Sequence, residues 1–164
     1  MKCLAPQMPT ARRRQEIVLT RVFDAPRRLV FNAMTLPEML GHWFGPSDAS
    51  LEVCEVDLRR GGTFRYVWRT AAGDRLQMSG TFLEVKAPER IVAVERFEEG
   101  GRSGEFVSTT ELCEADGLTR LTRTIRYAAK GARAGRKLGP VEREAAFGYD
   151  RLGELFEPDL ISNR

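Results

Sequence analysis

A chain of 164 residues, 42% hydrophobic and 30% charged, has the profile of one soluble globular domain rather than a fibre or a disordered polymer. The formal charge of +3 is unevenly placed: residues 1–15 hold Lys2, Arg12, Arg13 and Arg14 and no acid, so the rest of the chain carries 22 basic against 23 acidic residues. No run approaches the ~20 apolar residues that cross a bilayer, and with a near-neutral body neither a nucleic-acid nor a membrane partner is expected.

Residues 1–15 read as a flexible basic tail, 16–157 as a single domain and 158–164 as a second tail. The opening Met1–Pro6 lacks the apolar run of a signal peptide, which points to the cytoplasm. Cys3, Cys54 and Cys113 are an odd set without CxxC spacing, so reduced, structural thiols are expected, with no metal and no cofactor.

Glu16–Phe23 is rich in β-branched and aromatic residues and ends at Asp24-Ala25-Pro26, which predicts a first strand. Asp24 reads as a helix cap, Pro26 as a first-turn residue, and Leu29, Val30, Ala33 and Met34 as the apolar face of a short helix. Thr35-Leu36-Pro37-Glu38 has the form of a capping box opening a second short helix, which should run to about Trp43 before Gly45-Pro46 stops it.

From about residue 50 to 127, turn signals at Arg60-Gly61-Gly62, Ala72-Gly73-Asp74, Ala87-Pro88-Glu89, Gly100 to Gly104 and Asp116-Gly117 divide the chain into a meander of six strands. Phe64, Tyr66 and Trp68 share one face opposite Arg65, Val67 and Arg69; Leu121, Arg123, Ile125 and Tyr127 likewise oppose Arg120, Thr122, Thr124 and Arg126. One face is therefore wet and the other covered. Ala128 to Gly139 reads as a surface connection, after which Pro140 opens a last helix whose stripe Val141, Ala145, Gly148, Leu152 and Leu155 covers the apolar sheet face.

This order of elements defines an α+β protein of the helix-grip type: a curved seven-stranded antiparallel sheet packed on a long C-terminal helix, with two short helices after the first strand. Asp24-Ala25-Pro26, Trp43-Phe44-Gly45-Pro46, Val56 to Phe64, Gly80 to Val85, Pro88 to Val92 and Phe147-Gly148-Tyr149-Asp150-Arg151-Leu152 together resemble the bacterial proteins similar to the C-terminal domain of the Hsp90 ATPase activator, within the START or Bet v 1-like superfamily. The resemblance covers about residues 16–157. It implies an apolar cavity between sheet and C-terminal helix, in a superfamily that includes lipid carriers and polyketide aromatases and cyclases. At the last block this chain has Gly148-Tyr149 where the family more often has Gly-Trp.

Trp43, Phe44, Phe64, Tyr66, Trp68, Met78, Phe106, Tyr149 and Leu152 are the candidate walls of such a cavity, since aromatic faces present large rigid surfaces to flat apolar molecules; each can equally be plain core. Gly148, in the middle of a core-facing stripe, signals either close backbone packing or room left for something else. Arg123 lies between Leu121 and Ile125 on the interior face and needs a carboxylate, an anionic ligand or an escape to the rim, with Glu95 the best internal partner. His42, the only histidine, Tyr66 and Glu95 are the candidates for proton transfer.

The expectation is a binding protein for a small apolar or aromatic molecule, with a cavity of a few hundred cubic ångströms. A cyclase, dehydratase or hydrolase using the same pocket is the alternative. A co-chaperone module for Hsp90 is disfavoured, because the activators that carry that role have a further N-terminal domain. An edge strand could pair with its copy in a homodimer.

Overall fold

The computed structural model describes residues 16–127 and 148–157. Seven strands form one antiparallel sheet: β1 (Glu16–Phe23), β2 (Ala49–Val56), β3 (Thr63–Thr70), β4 (Arg75–Lys86), β5 (Arg90–Glu99), β6 (Arg102–Ala115) and β7 (Leu118–Tyr127). Their order across the sheet is β1-β7-β6-β5-β4-β3-β2. Strands two to seven are thus a continuous meander, each turn falling where the glycine, proline and aspartate signals placed it, and β1 pairs with β7 at the far edge. The result is a curved antiparallel sheet with few helices, consistent with a helix-grip fold.

Because β1 and β2 are the two edges, the chain between Phe23 and Ala49 has to cross from one edge to the other. It does so through α1 (Arg27–Thr35) and α2 (Pro37–Leu40). Their starts differ from the expected ones. Pro26, not Asp24, is the cap residue of α1, and no side chain of its own segment caps it; the Arg27 N–H instead donates to Glu114 Oε1 of β6 at 2.6 Å. The carboxylate that meets this helix start comes from 87 residues away, where no local pattern reveals it.

The capping box is not formed either. Leu36 occupies the cap position of α2, and Thr35 Oγ1 donates back to Phe31 O at 2.8 Å, closing α1. The second helix ends at Leu40, and residues 41–43 continue as turns.

The described C-terminal residues are helical over 148–154; the expected start at Pro140, with Val141 and Ala145, lies outside the described residues, as do both tails. Gly148, Tyr149 and Leu152 are buried, but Leu155 is exposed, and Phe156 continues the stripe by packing edge-on against Phe23. The helix ends before Leu155, which rotates that side chain off the buried face.

Two further expectations need correction. The outer sheet face is not uniformly wet, since Val67 is buried among its polar neighbours. Cys113 is disulfide-bonded rather than reduced, while Cys54 is free; sequence spacing does not report which sulfurs meet in space. Among the described residues no helix is long and apolar enough to cross a membrane.

Candidate functional site

The inner face of the sheet is built in rows, because residues directly opposite one another on paired strands share a face. Phe64, Gly80, Glu95 and Phe106 form one row; Phe82, Ala93, Ser108 and Ile125 the next; Ile91, Thr110 and Arg123 another. Large residues at the β3 side and small ones at Gly80, Ala93 and Ser108 leave a hollow over the centre. Gly80 is required there: a Cβ would come within 2.5 Å of the Phe64 ring and 2.1 Å of Val94 O.

The crossing segment and the C-terminal helix cover the hollow, leaving a cavity of about 180 Å³, below the few hundred expected. Of the predicted wall residues, Trp43, Phe44, Phe64, Tyr66, Trp68, Met78, Arg123, Gly148 and Tyr149 line it, and so does Glu95. Phe106 and Leu152 are buried but stand outside the wall, with Phe106 turned against Tyr127 at 5.7 Å between ring centroids. His42 is exposed and faces away, beside a separate polar depression with Ser50 and Arg151. The sequence reading missed Phe82, Ala93, Phe97 and Ser108, which alternation along β4, β5 and β6 places on this same face.

The aromatic wall is continuous. Phe44 meets Tyr66 edge-on at 4.9 Å and Trp68 at 5.1 Å, and Trp43 stacks on Tyr149 at 6.3 Å. Both indole N–H groups are committed to backbone: Trp43 Nε1 donates to Ala33 O at 2.8 Å and Trp68 Nε1 to Phe44 O at 3.1 Å. These bonds tie the crossing segment to itself and to β3. Gly45, with φ +100°, lies so close beneath Trp68 that a Cβ would reach its Nε1 at 2.1 Å. Arg151 donates to the same glycine's carbonyl from the C-terminal helix, and Asp150 pairs with Arg21 of β1 at 2.5 Å.

Gly148 resolves its two readings. A Cβ there would stand 3.6 Å from Trp43 Cζ3, ordinary van der Waals contact, so close backbone approach does not demand glycine.

Arg123 does not escape to the rim. Its Nη2 donates to Glu95 Oε2 at 2.7 Å, with side chains only 12% and 9% exposed. Glu95 lies four residues along β5 from Ile91, the residue in Arg123's own row, and β6 stands between. The two meet because the curved sheet lets both side chains reach across its hollow. Burial pulls the Arg123 guanidinium down, but the Glu95 carboxylate, with a smaller contribution from Tyr149, reverses this and holds it above its ordinary range. Burial pushes the Tyr66 phenol up, with Glu95 and Cys54 adding to the effect and Arg123 opposing it. The site is therefore an aromatic chamber with one neutralised ion pair and a protonated phenol in its lining.

A curved antiparallel sheet closed over an apolar chamber defines the class: proteins of the START or Bet v 1-like kind. More narrowly, residues 24–157 match the family described as activator of Hsp90 ATPase homolog 1-like protein, and the chain belongs to it. Among solved structures it is similar to a protein from Chromobacterium violaceum, at 26% identity and TM-score 0.74 over 88% of this chain and 99% of that one. A protein from Rhodobacter sphaeroides shares the fold at 24% identity and TM-score 0.78, over 87% and 92% of the two chains. DynU16, a protein in the dynemicin biosynthetic locus, shares it at 19% identity and TM-score 0.64, over 85% of this chain and 46% of that one. No curated protein matches the chain.

Proposed function

We propose that the protein binds a small apolar or aromatic molecule in the chamber between sheet and helices. The observation that carries this is a cavity of about 180 Å³ walled by Trp43, Phe44, Tyr66 and Trp68. An apolar cavity of about 150 Å³ holds a benzene-sized guest, so the volume favours one ring or two fused rings rather than a long-chain lipid. Both tryptophans of the chain line the cavity, so quenching of intrinsic fluorescence on titration reports binding directly. Ala93→Leu, which projects three more carbons into the hollow, should abolish quenching in a protein whose circular dichroism is unchanged. Equal binding by this variant would refute the site.

A second reading is supported by one observation. Catalysis on a polyketide-like substrate needs polar groups converging inside the cavity, and Glu95 and Arg123 do converge there. The likeness to DynU16 adds the fold alone. In this reading Glu95 and Tyr66 handle protons and His42, which lies outside, does not. Turnover of a cyclisation or dehydration substrate, lost in Glu95→Gln, would establish it. The Hsp90 reading has only the family's description in its favour.

A further inference from the structure

The charge and hydrogen-bonding state of the chamber's polar lining define what it accepts. Arg123 is already compensated, because Glu95 Oε2 accepts from its Nη2 at 2.7 Å and neutralises it. The buried pair thus carries no net charge before any ligand enters, and the other charged residues of the lining, Arg90, Glu98 and Glu99, are half-buried or exposed to water. An anion would place a second negative charge beside Glu95 and a cation a second positive charge beside Arg123, each uncompensated in an apolar enclosure, which is costly.

The fully buried polar capacity is specific, beside the half-buried Thr110 and Gln77 that also line the cavity. Tyr66 is 7% exposed and Ser108 is 4% exposed, both line the cavity, and among the described residues neither hydroxyl has a hydrogen-bond partner. Glu95, 7% exposed, is engaged through Oε2, which leaves Oε1 as an acceptor. The register places these groups together: Tyr66 lies in the row of Met78 and Phe97, two residues along β5 from Glu95, and Ser108 in the row of Ala93, two residues to the other side. An unengaged carboxylate oxygen accepts only, whereas two free hydroxyls can donate. A ligand hydroxyl, with one proton to give and lone pairs to receive, complements that set; a carboxylate, which has no proton to give, does not.

We infer that the chamber selects a neutral ring compound bearing a hydroxyl group, held by donation to Glu95 and by acceptance from Tyr66 or Ser108, over its anionic, cationic and unsubstituted analogues. The inference rests on the binding proposal above and narrows it to a ligand class.

The test is fluorescence titration of the intact protein at pH 7 with four probes of one size: 2-naphthol, naphthalene, 2-naphthoate and 2-naphthylmethylammonium. The expected order has 2-naphthol binding about 5- to 10-fold tighter than naphthalene, the value of one net hydrogen bond, and both ions weakest. Tyr66→Phe and Ser108→Ala, which remove a hydroxyl and little else, should together reduce that advantage at least about twofold, the bond to Glu95 keeping the rest, and leave naphthalene unchanged. If naphthalene or 2-naphthoate binds as tightly as naphthol, or if the double variant retains the naphthol preference undiminished, the inference is overturned while the cavity remains a binding site. If none of the four quenches the tryptophans, both the inference and the binding proposal fall.

Discussion

The Glu95–Arg123 pair makes a quantitative prediction about the core. At 2.7 Å, with 12% and 9% of the side chains exposed, it is a charge-assisted hydrogen bond largely shielded from water, so the weak surface-pair scale does not apply. Removing one partner of such a pair costs about 3–5 kcal/mol, because the other charge is left buried and unpaired, whereas replacing both by apolar residues of similar volume is close to neutral. Glu95→Leu should therefore lose about 3–5 kcal/mol. Arg123→Met should lose less, because an orphaned carboxyl can take up a proton while a guanidinium cannot shed one. The double variant Glu95→Leu/Arg123→Met should recover to within about 1–2 kcal/mol of the parent. Urea denaturation, followed by tryptophan fluorescence and far-UV circular dichroism together, measures all four corners of the cycle. If Glu95→Leu costs less than about 1 kcal/mol, or if the double variant is no more stable than the worse single one, the pair is not buried and coupled as described.

Three other outcomes follow from the geometry. Gly148→Ala adds a methyl at ordinary contact distance from Trp43 within a helix, so it should stabilise by about 0.5–1 kcal/mol and raise Tm by roughly 1–4 °C in a calorimetric scan; a lower Tm would mean that the backbone there does require glycine. Gly45→Ala combines a left-handed φ with a Cβ at 2.1 Å from Trp68 Nε1, and should cost at least about 2 kcal/mol and alter the near-UV tryptophan signal. Tyr66 is held protonated in the fold above its ordinary value of 10.0, so its contribution is intact below pH 10 and is lost as pH rises beyond it, at about 1.4 kcal/mol per pH unit for one proton. Tyr66→Phe should flatten the stability profile between pH 10 and 11 relative to the parent; identical slopes would show that the phenol titrates normally.

What the sequence revealed and what it hid divide along the range of the interactions. The six meander strands were legible because each is bounded by its own turn residues, and the inner face of β3 because Phe64, Tyr66 and Trp68 alternate with Arg65, Val67 and Arg69, two of them charged. The helix starts were misread because their determinants are not local: the donor at Arg27 is met by Glu114 of β6, and Thr35 serves the helix behind it rather than the one ahead. The site was legible in its large aromatics and in the incongruity of Arg123 on an apolar face. Its floor was not, because Ala93 and Ser108 carry no signal as single residues and become important only where the sheet curves over them. Phe106 illustrates the converse: it shares a row with Glu95, yet it lies beyond the covered hollow and packs on Tyr127.

The division of labour inside the chamber follows from where its polar atoms are used. Trp43 and Trp68 bring the largest apolar surfaces, and their N–H groups are already given to Ala33 and Phe44. They can therefore offer a guest contact area but no direction, and aromatic area alone discriminates weakly among rings of similar size. Glu95, Tyr66 and Ser108 retain capacity that the fold does not consume. An unmet buried hydroxyl costs free energy that a matching guest returns and a mismatched guest does not. On the proposed reading, discrimination falls to Glu95, Tyr66 and Ser108 and affinity to Trp43, Phe44 and Trp68, so variants of the tryptophans should weaken all guests alike, while variants of Tyr66 and Ser108 should reorder them.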